Sequence, residues 1–346
     1  MSYVSGFAEV GLDDRPHVGG KGGSLGELLR AGLAVPPGFI VRTAAFERFL
    51  ATVEAEWPVR ERIAPLDPEN LSVLTERCAE VRRRLEEAPL PGEIGDQIEL
   101  AHGQLCASRR IPVAVRSSAT TEDAADASFA GLQDTYLWVT DLGETLRRIR
   151  ACWASLYSVE SVSYRRRRNL PEHGVAMAVV VQCMVDARTA GVMFTRSPTT
   201  GDRSVVTIEG AWGLGSAVVG GEVTPDRWVL GKITGEIAVR EISDKAIRHA
   251  PDAGGGVKTE PVTEAFRRAP CLSDEELQTL RTVARRIERH YGCPQDIEWA
   301  VDRVSGEVLL LQSRPETVWS AKEAAPVAHA AQNPLAHVMS IFGGRK

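Results

Sequence analysis

Two short runs near the C-terminal end, 296–302 and 308–312, set polar against apolar side chains with a period of two, around a turn-like Arg303-Val304-Ser305-Gly306-Glu307. Such a pattern suits an antiparallel strand pair buried on one side. If the turn closes symmetrically, Glu298 faces Gln312 and Asp296 faces Arg314, all four on one face. Ile297, Trp299, Val301, Leu309 and Leu311 then form the opposite, core face. Two carboxylates, a carboxamide and a guanidinium make either a platform for Mg2+ and phosphate or a solvated face with an Asp–Arg pair. A slip of one residue would undo the arrangement.

Earlier in the chain, Gly19-Gly20-Lys21-Gly22-Gly23 leads into a helix for which Ser24 and Glu27 have capping-box spacing, with Gly32 at its expected C-terminus. Val35-Pro36-Pro37-Gly38 forces extended chain before a short strand at 39–41. Residues 43–110 are largely helical. From Ile111 strands and glycine turns take over, at 113–115, 136–139 and 175–185, with 190–195 returning as the expected neighbour of the last. A helical stretch covers 142–168, its basic end 165–168 placed to cap a helix C-terminus. Ser273-Asp274-Glu275-Glu276 opens a helix to about His290. The expected division is an N-terminal lobe at 1–110, the remainder at 111–319, and an Ala/Pro-rich tail at 320–346. In that tail Leu335, Val338, Met339 and Phe342 share one face of a short helix that needs a surface to fold on, a partner's or this domain's own.

Composition excludes several classes. Of 346 residues, 43% are hydrophobic and 25% charged, enough for a substantial core. The net charge of −5 provides no electrostatic footprint for nucleic acid or an anionic membrane. The longest apolar run, 175–181, is too short for a membrane helix, and the first five residues lack signal-peptide character. Six scattered cysteines with no C-x-x-C pair argue for reduced thiols, against a zinc site or a disulfide framework. The expectation is a cytoplasmic protein.

Lys21 is the only lysine in the first 231 residues. Its loop is not a Walker A loop, because Gly22 rather than Ser or Thr follows the lysine. An ammonium among glycines suits a phosphate; the alternative is an ordinary turn. Arg116 ends a strand and opens Ser117-Ser118-Ala119, where it either clamps phosphates or pairs with a nearby acid. Ser128 to Thr135 is a small-residue loop able to close over a ligand. Gln182, an amide among valines, needs partners for donor and acceptor alike, from an adenine edge or from backbone.

Seven segments then fall in order. They are Val18-Gly19-Gly20-Lys21-Gly22-Gly23-Ser24-Leu25-Gly26-Glu27, Ala114-Val115-Arg116-Ser117-Ser118-Ala119, Ser128-Phe129-Ala130-Gly131, Gly191-Val192-Met193-Phe194, Ala211-Trp212-Gly213-Leu214-Gly215, Asp296-Ile297-Glu298-Trp299 and Gln312-Ser313-Arg314-Pro315-Glu316. Together they resemble the N-terminal nucleotide-binding domain of phosphoenolpyruvate synthase, pyruvate phosphate dikinase and rifampicin phosphotransferase, over about residues 4–319. The resemblance implies an α+β, bilobal ATP-grasp fold with ATP between the lobes. It implies phosphate contacts from Lys21, Arg116 and Arg314, a loop over the nucleotide including Gly131 and Thr135, and an adenine-side contact from Gln182. Glu298 and Gln312 would bind Mg2+, with Asp296 in the same site. Gly22-Gly23 departs from the Asn-Ala that follows the lysine in phosphoenolpyruvate synthase.

Full-length members of that family carry a swiveling domain whose catalytic histidine stands in a Thr-Ser-His context, and a further acceptor domain. None of the seven histidines here follows Thr-Ser, and residues 320–346 are too few for either domain. The implied role is the ATP-binding part of a dikinase, either one subunit of a split enzyme or a piece of a longer chain. Its partners would be a phosphohistidine-bearing swiveling domain or subunit and an acceptor-binding one. Pyruvate, a phenol as in phenylphosphate synthase, and a rifampicin-type antibiotic are the rival acceptors. A non-catalytic nucleotide-binding regulatory module is the alternative of another class.

Overall fold

The computed structural model describes residues 1–107, 111–120 and 134–319. Among these residues the apolar strands separate into two principal sheets. The first contains β1 (Val4–Gly6), β2 (Gly38–Val41), β3 (Val113–Ala119), β4 (Thr135–Val139) and β5 (Met177–Cys183), in the order β1-β2-β5-β3-β4. The second draws on β6 (Ala187–Phe194), β7 (Val205–Trp212), β8 (Asp226–Gly231) and β9 (Ile237–Glu241). A separate hairpin follows, β10 (Ile247–Pro251) with β11 (Val257–Pro261). Finally β12 (Gln295–Asp302) and β13 (Val308–Pro315) return to the second sheet, giving the order β13-β12-β6-β7-β8-β9. Each pairing is antiparallel. The fold is mixed α+β.

Alternation along β3 and β5 gives the first sheet two greasy faces. Val113, Val115, Val179 and Val181 join the core that also holds Phe46, Phe49 and Trp153, with Phe49 and Trp153 ring centroids 5.1 Å apart. On the other face Ile40, Ala178 and Val180 share a core with Leu25 and Leu28 of the helix Arg15–Arg30. That core continues into Met193, Ile208, Trp228 and Trp299 of the second sheet and Leu277, Leu280 and Ile287 of the helix Asp274–Tyr291. The helix Arg15–Arg30 is therefore a wedge between the sheets. Full burial of each such side chain contributes about 1.5–3 kcal/mol.

Several expectations meet the structure directly. Ser273 and Glu276 form their capping box, and Gly292 ends that helix at φ +69°. Gly32, at φ +67°, closes the first helix with Leu33 N–H donating to the Leu28 carbonyl and its own N–H to that of Leu29, the Schellman pattern. The 142–168 stretch is two helices, Leu142–Ser155 and Val159–Arg167, because Ser158 starts the second by accepting from Ser161 N–H. Arg165 does not cap that helix. It is buried against Glu172 at 3.0 Å and donates to the Leu156 carbonyl at 2.7 Å.

The strands expected to be neighbours, 175–185 and 190–195, lie in different sheets: β5 pairs with β2 and β3, β6 with β12 and β7. Both are covered on two faces, so their apolar runs carry no mark of a partner. The sheets divide between Cys183 and Ala187. No helix among the described residues is long and apolar enough to cross a membrane. The tail, with Leu335, Val338, Met339 and Phe342, lies outside the described residues, as does Gly131.

Candidate functional site

The glycine–lysine segment spans a kink that divides Arg15–Arg30 into two helices, and Lys21 stands in the first turn of the second. Arg15–Arg30 breaks at Gly19, whose φ of +71° and ψ of 176° are accessible essentially only to glycine. A Cβ there would stand 2.1 Å from the Ser118 carbonyl oxygen. Ser118 bridges the break from β3: its Oγ donates to the Val18 carbonyl (2.9 Å) and accepts from Gly22 N–H (3.2 Å). That is the capping role expected of Ser24. Ser24 instead donates to the Ser313 carbonyl at 2.6 Å, and Glu27 pairs with His290 at 2.6 Å, so no capping box forms at 24–27. Nor do all the glycines face a ligand; a Cβ at Gly26 would lie 2.2 Å from the Val10 carbonyl oxygen, a close approach of the protein to itself. Lys21 follows the break, buried, on a helix tied to β3 through Ser118 and to β13 through Ser24. Burial raises the Cys152 thiol strongly, and Lys21 is among the charges opposing that shift.

The β12–β13 pairing is as expected at the polar end: Asp296 faces Arg314 and Glu298 faces Gln312. A bulge then intervenes between Glu298 and Trp299, and beyond it Trp299 faces Leu310. The extra residue is Leu311. The bulge reverses the parity of β13, so Leu310 is the fully buried core residue, while Leu309 and Leu311 pack with Ala190 and Ala300 in a separate cluster. The expected core face is corrected accordingly. Arg116 reaches this point from the other sheet. Its Nη1 donates to the Leu311 carbonyl (2.9 Å), and its Nη2 to Glu298 Oε2 (2.9 Å) and Gln312 Oε1 (2.7 Å).

Opposed residues continue across the second sheet. Gln312, Glu298, Val192, Glu209, Arg227 and Glu241 stand side by side on six strands. Asp296, Glu298, Gln312, Arg314 and Glu209 line one cavity of about 310 Å3. Glu209 escaped the sequence reading, although a carboxylate ending Val205-Val206-Thr207-Ile208 is the same kind of anomaly as Gln182 among valines. Burial raises its pKa, with Arg227 opposing and Glu241 reinforcing. Asp296 is pushed up to about 6 by burial, against the pull of Arg314 at 3.3 Å and with a push from Glu316. Because that pKa lies above the ordinary aspartate range, Asp296 adds stability at low pH that is lost as pH rises through about 6. Asp296→Asn should therefore gain stability relative to the parent between pH 4 and pH 7, read as the difference in Tm. An equal difference at both ends would mean that Asp296 titrates normally.

Thr135 sits directly opposite Arg116 on β4. Gln182 is two ladder positions away on β5, facing Ala114, and its Nε2 donates to the Pro36 carbonyl at 3.3 Å. Its donor thus takes the backbone alternative. A larger cavity of about 760 Å3 opens beside Thr135, between β4 and the β10–β11 hairpin. On its wall Ser216 Oγ lies 2.7 Å from His249 Nδ1, and His249 Nε2 lies 3.1 Å from Glu222.

The donor chemistry fits a hard cation. Glu298 and Gln312 aim two oxygens at one nitrogen of a guanidinium, so positive charge is already accommodated between them. Among the described residues no cluster of three or more His, Cys, Asp or Glu side chains could hold a metal by itself. Few protein oxygens, completed by phosphate and water, are the usual coordination of Mg2+.

Two antiparallel sheets meeting at a guanidinium–carboxylate seam are the framework of an α+β nucleotide-binding domain. Residues 15–334 match the family described as "Pyruvate phosphate dikinase, AMP/ATP-binding domain", and the chain belongs to that family. It is 42% identical over 320 residues to a probable phosphoenolpyruvate synthase of Methanothermobacter thermautotrophicus, covering 92% of this chain and 46% of that protein. It is 40% identical over 349 residues to one of Staphylothermus marinus, covering 93% and 42%. To the rifampicin phosphotransferase of a Streptomyces species it is 42% identical over 323 residues, covering 91% and 36%. The chain thus spans under half the length of each of these relatives.

Proposed function

We propose that this domain binds Mg-ATP between its two sheets, in the manner of a bilobal ATP-grasp, and hands the β-phosphoryl group to a histidine on a separate swiveling domain or subunit, releasing AMP, while water takes the γ-phosphoryl group as orthophosphate. Lys21, Arg116 and Arg314 hold phosphate oxygens, Thr135 lies over the nucleotide, and Gln182 is on the adenine side. Glu298 and Gln312 hold Mg2+, with Asp296 and Glu209 on the same polar face. A metal held there would supply charge neutralisation at the phosphates; the arginines and the lysine fix positive charge where the migrating group becomes more negative. The observation carrying this reading is the convergence of Arg116 from one sheet with Glu298 and Gln312 from the other, at 2.9 and 2.7 Å. Onward transfer is to a small acceptor held elsewhere. Pyruvate is favoured by relatives named phosphoenolpyruvate synthase, and a rifampicin-type hydroxyl by the Streptomyces relative.

Calorimetry tests the nucleotide site. Mg2+ should tighten ATP binding by the parent, and Glu298→Ala should abolish that tightening. Unchanged Mg2+ dependence would take Glu298 out of the site. Incubation with Mg-ATP tests the relay: AMP should accumulate rapidly only when the histidine-bearing part is added. Rapid AMP formation by this chain alone would contradict the proposal.

A further inference from the structure

We infer that Arg116 is the resident counter-cation of the metal position, so that guanidinium and divalent cation exclude one another and the cation is taken up together with nucleotide. The inference rests on the Mg-ATP reading above and concerns its order and coupling. One nitrogen, Nη2, contacts both Glu298 Oε2 and Gln312 Oε1, at 2.9 and 2.7 Å. A Mg2+ ion held by the same two oxygens would stand at about 2.0–2.1 Å from each, in space that nitrogen fills. The arginine side chain is only 10% exposed, so its charge is shielded from water and acts strongly on the two oxygens.

The guanidinium also has somewhere to go. Its Nε is buried and has no hydrogen-bond partner among the described residues, although Nη1 and Nη2 are both engaged. A buried donor without an acceptor is costly, and a phosphate oxygen is a strong acceptor for it. Nucleotide phosphates would draw the guanidinium from Glu298 and Gln312 and free both oxygens for the cation. Metal and nucleotide then bind with positive coupling, and by linkage each raises the affinity of the other by the same factor. Without nucleotide the cation has to displace a charged hydrogen-bonded group, which disfavours it by about tenfold or more.

The test uses Mn2+ as a paramagnetic probe of the whole chain, titrated with and without a non-hydrolysable ATP analogue and followed by electron paramagnetic resonance. In the parent, Mn2+ should bind weakly alone and tightly with the analogue. Arg116→Met should bind Mn2+ alone about tenfold more tightly than the parent. Arg116→Lys, which keeps the charge but lacks the fork, should fall between the two. Folding of each variant is checked by circular dichroism, and the Lys variant carries the comparison if the Met variant does not fold. If Mn2+ binds with nucleotide but neither variant gains affinity without it, the counter-cation role is overturned and the metal site stands. If Mn2+ fails to bind even with the analogue, the metal reading falls, and this inference with it.

Discussion

Gly19→Ala is expected to destabilise the domain by about 3 kcal/mol or more, summing backbone strain and overpacking. The methyl group would meet the Ser118 carbonyl oxygen at 2.1 Å and Ser118 Oγ at 2.3 Å, on a backbone at φ +71°. No rotamer relieves the clash, because a Cβ has no torsion to turn. Relief requires β3 to separate from the helix, and that separation breaks the Ser118 bridge to Val18 and Gly22 beside Lys21. Urea unfolding should show the loss as a lower midpoint, with ATP affinity falling alongside it. Gly92→Ala is the control, since a Cβ at Gly92 meets nothing within 4 Å. Equal midpoints for the two variants would show that the helix break is not held by Gly19.

The second large effect concerns a fully buried ion pair at the second sheet. Lys245 Nζ and Asp226 Oδ1 are 2.6 Å apart, and both side chains are fully buried. Asp226 also accepts from Ser243 N–H and Cys271 N–H, each at 2.9 Å. One carboxylate thereby binds β8, the segment before β10 and the segment leading into the helix Asp274–Tyr291. Lys245→Met leaves that carboxylate buried without a counter-charge and should cost about 3–5 kcal/mol. The double change Asp226→Asn with Lys245→Met should recover part of the loss, because the isolated charge is gone while an acceptor oxygen remains. Chemical denaturation of the two single variants, the double variant and the parent reads this directly. A loss under about 1 kcal/mol in Lys245→Met would show that the pair is dispensable.

The polar strand pair was legible from residues alone because its cue, the shared parity of positions 296, 298, 312 and 314, is local. It also depended only on the register near the cleft, where the pairing is regular. The bulge at Leu311 was not legible, since Leu309, Leu310 and Leu311 are chemically identical and no alternation distinguishes them. What selects Leu310 for the core is tertiary: its N–H donates to the Ala34 carbonyl and its side chain joins the core of the second sheet. Ser24 failed as a cap for a related reason. Its capping-box spacing is genuine, but Ser118, distant in sequence, supplies the cap across the helix break. The strands β7 to β11 are not legible from residues alone, because glycines crowd 209–221 and 254–256 and blur the alternation there. Their partners are each other, and pairing is not written into any one of them.

Arg116 and its two side-chain partners, Glu298 and Gln312, are separated by 182 and 196 residues of chain. A ribosome therefore releases the arginine long before it has made the oxygens that receive it. The first sheet can assemble from residues 4–183 while synthesis continues, but the seam to the second sheet waits for β12 and β13, its last strands. Through that interval the emerging chain has no complete seam between its sheets, and Arg116 waits for residues 298 and 312 before its guanidinium meets their oxygens.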